Sequence, residues 1–252
     1  MKKRKARSRP ADRTPPPAPV VAVAAPVPAL FADDGRRRVL NVGCGRPDPE
    51  RRRLHRAFHA PDWRELRLDI AADVEPDILA DITDMRAAVP DASVDALWSS
   101  HNVEHLEAHR VAPAFAEFAR VLKPDGFALV TCPDLGAIAR FIVDHDADTV
   151  AYDSVSGPIT PVDMLWGHGS SIAAGAHAMA HRTGFTRRRL AVVALAAGFV
   201  DVRTQVRRFD LWALLLKPAT RIDAVLAALA GTEQASLAET LGERRVLPVP
   251  PR

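Results

Sequence analysis

Two groups of residues in this chain have types and spacing that suit the binding of a nucleotide-like ligand. The apolar residues 39–42 run into Gly43-Cys44-Gly45, and glycines there leave no Cβ in the way of a bound molecule. Asp69 follows Gly45 by 24 residues and ends another apolar run. A carboxylate at that place can accept hydrogen bonds from both hydroxyls of a ribose. The alternatives are a tight turn without a ligand and a solvated acid.

Asp81 is a second acidic residue near the end of an apolar run, residues 78–82. Its carboxylate can accept a hydrogen bond from an exocyclic adenine amine. It can equally cap a short segment that begins at Thr83. Both interpretations of Asp81 remain open on the sequence alone.

His101-Asn102-Val103-Glu104-His105 is the stretch richest in proton-transfer groups. Imidazole titrates near neutral pH, so His101 and His105 are the first candidates for a general base. The stretch also reads H-x-x-E-H, the pattern of inverted zinc proteases, which needs both histidines on one helix face. It begins directly after a predicted strand, however, and we therefore expect no metal site.

The spacing of apolar residues indicates which elements must position these groups. Strands are predicted over residues 39–43, 65–70, 78–82, 94–100, 127–132, 200–206 and 209–216. Helices are predicted over 49–59, 107–122, 137–143 and 186–197, with Asp48 capping the first of them and Pro49 as its first residue. Residues 123–126 have the composition of a turn.

Alternating strands and helices predict an α/β fold, a Rossmann-like, doubly wound sheet of seven mostly parallel strands with an antiparallel edge strand. Such a sheet binds ligands outside the carboxyl ends of its strands. Residues 43–45, Asp69, Asp81 and residues 99–105 all fall at predicted strand ends. We therefore expect these residues to share one site.

Composition and charge divide the 252-residue chain into three parts. We predict a disordered, basic, Pro-rich tail over 1–34, a folded domain over 35–216 with a loop-rich, substrate-side insertion at 134–185, and a helical, Pro-containing extension over 217–252. Six basic residues among the first ten give +6, and subtracting these from the net +3 leaves −3 for the remainder. That balance gives no support for nucleic-acid binding.

The apolar residues 20–30 superficially resemble part of a signal peptide, but six prolines in and before them would break its helix. No run reaches the roughly 18 apolar residues of a membrane span. Cys44 and Cys132 form neither a disulfide framework nor a metal cluster, which favours a reducing, cytoplasmic location.

Five motifs together resemble the class I S-adenosylmethionine-dependent methyltransferases, and most closely the small-molecule enzymes of the ubiquinone-biosynthesis type. The motifs are VLNVGCG at 39–45, RLDI at 67–70, ADI at 80–82, VDALWSSHNVEHL at 94–106 and EFARVLKPDG at 117–126. The resemblance implies a cofactor site formed by Asn41, Gly43, Cys44, Gly45, Asp69, Ile70, Asp81, Ile82 and Ser99. It places Asp69 at the ribose, Asp81 and Ile82 at the adenine, and Ser99 along the methionine part.

Two residues depart from the family pattern. Asn41 stands where the family usually has an acid that helps to hold the methionine amino group, and Pro47 stands where it usually has a third glycine. The resemblance implies methyl transfer from S-adenosylmethionine to an oxygen, nitrogen or carbon atom of a small molecule. Asn41 and Pro47 keep open a catalytically weak binding or scaffold protein. An incomplete G-x-G-x-x-G, with Asp48 in its last place, argues against a nicotinamide-dependent oxidoreductase.

Overall fold

The computed structural model describes residues 27–48 and 52–239. The strands are β1 Arg37–Val42, β2 Trp63–Asp69, β3 Ile78–Leu79, β4 Val94–Ser100, β5 Leu122–Pro133, β6 Tyr152–Ser154, β7 Gly157–Ile159, β8 Asp201–Arg207 and β9 Asp210–Leu216. Seven of them form one sheet in the order β3-β2-β1-β4-β5-β9-β8, and β6 pairs with β7 in a separate hairpin. Strand β9 is antiparallel to both of its neighbours, whereas the pairs from β3 to β5 are parallel. The predicted seven-stranded, mostly parallel sheet with antiparallel pairing at one edge is confirmed, and the antiparallel strand is β9, next to the edge strand β8.

Helices cover both faces of this sheet. They are α1 Val27–Leu30, α2 Val111–Val121, α3 Leu135–His145, α4 Pro161–Trp166, α5 Gly169–Ala173, α6 Arg187–Ala196, α7 Ile222–Leu229 and α8 Ala235–Glu239. Side chains alternate across a strand, so Leu40 packs with Phe115 of α2 and Leu190 of α6 on one face. Val39, on the other face, packs with Val225 of α7.

The predicted helix over 49–59 is wrong for the residues that the structure describes. Only Arg56–Phe58 is helical there, as a single 3-10 turn, and residues 49–51 lie outside the described part. Because His55 and Phe58 face the aromatic rings of Trp98 and Trp63, these contacts fix the segment without a regular helix. Among the described residues, no α-helix therefore follows the glycine loop directly in the sequence.

Three predicted boundaries also differ from the structure. The third strand ends at Leu79 rather than at residue 82. The predicted turn at 123–126 lies inside β5, where it bulges out between the pairs Val94–Leu122 and Ala96–Phe127. The predicted tail includes helix α1, and Leu30 of that helix is buried in the core, so ordered structure begins before residue 35.

The insertion at 134–185 is more regular than its many glycines and prolines predict. Asp134 caps α3 by accepting a 2.7 Å hydrogen bond from the amide of Ala137, and Thr160 and Asp163 form a reciprocal capping box on α4. Ile138 and Met164 pack in a small core of their own. Within the described residues, no helix has the length and apolar character needed to cross a membrane.

Candidate functional site

The glycine loop closes tightly at the end of β1. Gly43 and Gly45 have φ angles of +68° and +61°, a region that favours glycine. A Cβ on Gly43 would lie 2.6 Å from Cγ of Asn102. Glycine is thus required at position 43, both by its backbone conformation and by the close approach of the Asn102 side chain.

Asp69 ties the end of β2 to the glycine loop. Its Oδ2 accepts a 2.9 Å hydrogen bond from the amide of Gly45, and its Oδ1 accepts a 3.0 Å hydrogen bond from the amide of Ala71. Each carboxylate oxygen has a second lone pair. Asp69 therefore fixes the loop and keeps the capacity to accept further hydrogen bonds.

Asp81 caps the short segment that begins at Thr83, which is one of the two roles that the sequence left open. Its Oδ1 accepts hydrogen bonds from the amide and the hydroxyl of Thr83 at 2.9 and 2.8 Å, and Nη2 of Arg110 lies 2.5 Å from Oδ2. Burial raises the pKa of Asp81, but the hydrogen bonds from Thr83 and Arg110 outweigh it, and the pKa is lowered overall. Asp81 is thus held as a carboxylate, with less free capacity than Asp69.

A cavity of about 210 Å³ lies at the carboxyl ends of the strands. Its lining residues are Gly43, Asp69, Ile70, Ala80, Asp81, Ile82, Asn102, His105, Leu106, Glu107, Arg110, Ala178 and Arg182. Six of the predicted site residues are among them: Gly43, Asp69, Ile70, Asp81, Ile82 and His105. The structure therefore brings together most of the residues that the sequence assigned to one site.

The other predicted site residues do not line this cavity. Asn41 is buried and donates a 2.7 Å hydrogen bond to Glu65. Gly45 is not among the lining residues, and its amide donates a hydrogen bond to Asp69. Burial raises the pKa of the Cys44 thiol to about 11, and the Ser99 hydroxyl is buried without a hydrogen-bond partner among the described residues.

His101 lies beside the cavity, between two carboxylates. Its Nδ1 is 3.3 Å from Oε1 of Glu104, and its Nε2 is 3.5 Å from Oδ1 of Asp210. Burial lowers the pKa of His101, but Glu104 and Asp210 outweigh burial and raise it overall. The backbone of His101 is left-handed, with φ +46°, which only strong local contacts sustain in a non-glycine residue.

Glu104 and His105 belong to a single 3-10 turn, Val103–His105. The helix face that an inverted zinc protease needs is therefore not formed, since His101 precedes the turn in a left-handed conformation. Nδ1 of His105 lies 3.2 Å from the carbonyl oxygen of Ala180. A carbonyl only accepts, so Nδ1 carries the proton and Nε2 keeps its lone pair.

Several lining residues were missed by sequence reasoning. Glu107 and Arg110 come shortly after the histidine motif, and Asn102 lies inside it but was not singled out. Their proximity to the motif was the available signal. Arg182 comes from the distant insertion and forms an ion pair with Glu107, with Nη1 2.5 Å from Oε1. No local pattern marks Arg182, because only the folded insertion brings it to the cavity.

Comparison with known proteins gives one family match. Residues 40–130 match a family model described as a methyltransferase domain, and no curated protein matches the chain. The range of the match includes all nine predicted cofactor residues and both predicted catalytic histidines.

Solved structures of similar fold include a SAM-dependent methyltransferase from Archaeoglobus fulgidus, with 16% identity over 73% of this chain and 87% of that one, and a TM-score of 0.44. Another is the 1,6-didemethyltoxoflavin-N1-methyltransferase of Burkholderia thailandensis, with 17% identity over 77% and 75% of the two chains, and a TM-score of 0.44. Likenesses this distant carry no argument about substrate.

Proposed function

We infer that this chain carries an S-adenosylmethionine-dependent methyltransferase domain. From that premise, we propose that the protein transfers the methyl group of the cofactor to an oxygen, nitrogen or carbon atom of a small molecule. The observation that carries the proposal is the cavity shared by the glycine loop, Asp69 and Asp81 at the carboxyl ends of three neighbouring strands. Parallel sheets of this kind bind nucleotide-like ligands there.

The residues present fit the adenosyl part of the cofactor. Asp69 retains lone pairs for two ribose hydroxyls. Ile70 and Ile82 supply apolar surface to the cavity, and Gly43 also lines it. The side-chain amide nitrogen of Asn102 is buried without an acceptor among the described residues, which leaves a hydrogen-bond donor for a bound carboxylate.

The cofactor supplies an activated methyl group, and the chain's contribution is therefore mainly positioning and the exclusion of water. Asp69 and the glycine loop orient the donor. An oxygen or nitrogen acceptor also needs a base where it carries a proton. The sequence offers two candidates for that role, His101 and His105.

The two histidines differ in their suitability as a base. The carboxylates of Glu104 and Asp210 raise the pKa of His101 and favour its protonated form, which cannot accept a proton. His105 lines the cavity and has its Nε2 lone pair free, since Nδ1 donates to Ala180. His105 is thus the better placed of the two, and His101 orients Glu104.

The experiment that tests the proposal uses methyl-labelled S-adenosylmethionine and the purified full chain with cell extract. We expect the label to appear in a small molecule, which mass spectrometry then identifies. Calorimetry on the same preparation should show micromolar binding of the cofactor. Absence of both binding heat and labelled product would exclude the proposed function.

A second candidate is a methyltransferase-like binding or scaffold protein. The observation that favours it is the engagement of Asn41 with Glu65, because an acid for the methionine amino group is then missing at position 41. Cofactor binding without transfer to any component of the extract would favour this second function over the first.

We also propose a cytoplasmic location and a likeness to the ubiquinone-biosynthesis type of enzyme. The location is supported by Cys44 and Cys132, which are both buried and unpaired, as in reducing compartments. The enzyme type rests on the sequence motifs.

A further inference from the structure

A cluster beside the cavity has the composition of a metal site. Glu104, His105 and His181 each offer one ligand atom, and these three atoms lie within 4.8 Å of one another. The 3-10 turn Val103–His105 supplies two of them, and the insertion supplies the third. Metal bonds to nitrogen and oxygen of about 2.0–2.2 Å bring ligand atoms together to roughly 3–3.5 Å, so small side-chain rotations would close the site.

Glu104 is the feature of the cluster most in need of a partner. It is 1% exposed, and neither of its carboxylate oxygens receives a hydrogen bond from the described residues. His101 reaches Oε1 at ion-pair distance, 3.3 Å, which leaves Oε2 without a partner. A buried carboxylate is costly unless it is paired or bound to a metal.

Both histidines have a backbone carbonyl on Nδ1, which leaves Nε2 directed away from that hydrogen bond. Nδ1 of His105 donates to the carbonyl of Ala180, and Nδ1 of His181 donates to the carbonyl of Met164 at 2.9 Å. The lone pair of each neutral ring is therefore on Nε2. A backbone carbonyl on the far ring nitrogen is the usual second partner of a metal-binding histidine.

The backbone holds the two halves of the cluster together. The carbonyl oxygen of Glu104 accepts hydrogen bonds from the amides of Arg182 and Thr183 at 2.8 and 3.1 Å, and the amide of His181 donates to the carbonyl of Trp166 at 3.0 Å. The His105 and His181 rings then lie with centroids 4.9 Å apart. The backbone on both sides of the cluster is thus fixed before any ion binds, and only side-chain rotations are needed to close the site.

We propose that Glu104, His105 and His181 bind a divalent transition-metal ion. Two imidazoles and one carboxylate suit Zn²⁺ and similar ions, and they leave coordination positions open for water or an acceptor oxygen. This proposal differs from the expectation drawn from the sequence, which was that the chain has no metal site. His105 also lines the cavity, so the ion would lie beside it. A role in orienting the methyl acceptor rests on the proposed function, and a metal on Nε2 of His105 excludes that residue as the base.

The test measures metal binding to the untagged full chain without any methyl donor. The chain is stripped with a chelator, titrated with Zn²⁺ by calorimetry and loaded with Co²⁺ for visible absorption. We expect one equivalent of Zn²⁺ per chain and Co²⁺ absorption bands of a site with nitrogen ligands. His105→Ala, His181→Ala and Glu104→Gln should each weaken binding by at least about 100-fold, and the exposed His109→Ala should leave it unchanged.

Two results would overturn the proposal: no saturable binding to the stripped chain, or unchanged affinity in all three cluster variants. Circular dichroism checks the fold of each variant, and Glu104→Gln keeps the side-chain shape if an alanine variant unfolds. Because no S-adenosylmethionine is present, failure here leaves the proposed methyl transfer untouched. Failure of the labelling experiment likewise leaves the metal site standing.

Discussion

The side-chain amide of Asn41 donates a 2.7 Å hydrogen bond to Oε1 of Glu65, from β1 to the neighbouring strand β2. Asn41 is buried, and the guanidinium of Arg52 lies 3.7 Å from the other oxygen of Glu65. The residue that departs from the family pattern therefore has a structural partner. An acid at position 41 would face a second acid at short range, and this explains why an amide suits this chain.

We predict that Asn41→Asp lowers the free energy of unfolding by about 1–3 kcal/mol, because it replaces a hydrogen bond with two facing carboxylates. The double variant Asn41→Asp with Glu65→Gln restores a donor and an acceptor and should recover most of the loss. Urea unfolding of the two single variants, the double variant and the wild type measures the coupling. Additive effects of the two substitutions would contradict the direct contact.

Asp69→Ala should weaken binding of S-adenosylmethionine by about 10- to 100-fold, because hydrogen bonds to a charged group contribute roughly 1.5–3 kcal/mol. Calorimetry measures the change. The matched control is Asp73→Ala, since Asp73 is exposed, pairs with Arg46 and does not line the cavity. Equal affinities of the two variants would remove Asp69 from the cofactor site.

The sheet was predictable from the sequence because its strands have strong local signals. Residues 94–100 were predicted as a strand, and β4 has those bounds, since its apolar residues are buried on both faces. The lack of a regular helix over the described residues 52–59 could not be predicted, because Leu54 and Phe58 have helical spacing. Contacts of Phe58 with Trp63 and Phe127 override that local pattern.

The residues of the candidate site were also only partly predictable from the sequence. Gly43, Asp69 and His105 stand at the ends of strands or just after them, where the fold class itself places ligands, and the cavity includes all three. His181 and Arg182 lie about 75 residues after the histidine motif. Their positions depend on backbone hydrogen bonds to Glu104 and Trp166. No periodicity in the sequence indicates these hydrogen bonds.

The pair of His101 and Glu104 predicts a dependence of stability on pH. Although burial lowers the pKa of His101, Glu104 and Asp210 raise it above its ordinary value of 6.5. A raised folded-state pKa means that the contribution to stability is present in full below about pH 6.5 and is lost as the pH rises through the folded value. The wild type should therefore lose part of its advantage over His101→Asn as the pH rises above about 6.5.

Asparagine is the substitution for this test because it tolerates the left-handed φ of His101. Urea unfolding at several pH values measures the difference between the two proteins, so that contributions from other titrating groups cancel. His109→Asn is the control, since His109 is exposed and its difference from the wild type should stay constant. A wild-type advantage that grows with pH would show that His101 is not held as a cation.

Phe185 should be among the most costly side chains to truncate, because it anchors the insertion to the core. It is fully buried, its ring lies 6.4 Å from that of Phe115, and its carbonyl accepts a 2.9 Å hydrogen bond from the amide of Leu135. We predict that Phe185→Ala lowers the free energy of unfolding by about 3–5 kcal/mol.

Thermal and urea unfolding measure this loss, and Val192→Ala on α6 is the control, since Val192 is 43% exposed and should change stability by no more than about 0.5 kcal/mol. Phe185→Leu keeps part of the buried volume and should fall between the two. If Phe185→Ala matched Val192→Ala, the insertion would be held by its backbone hydrogen bonds alone, and the packing of Phe185 would have no part in positioning His181.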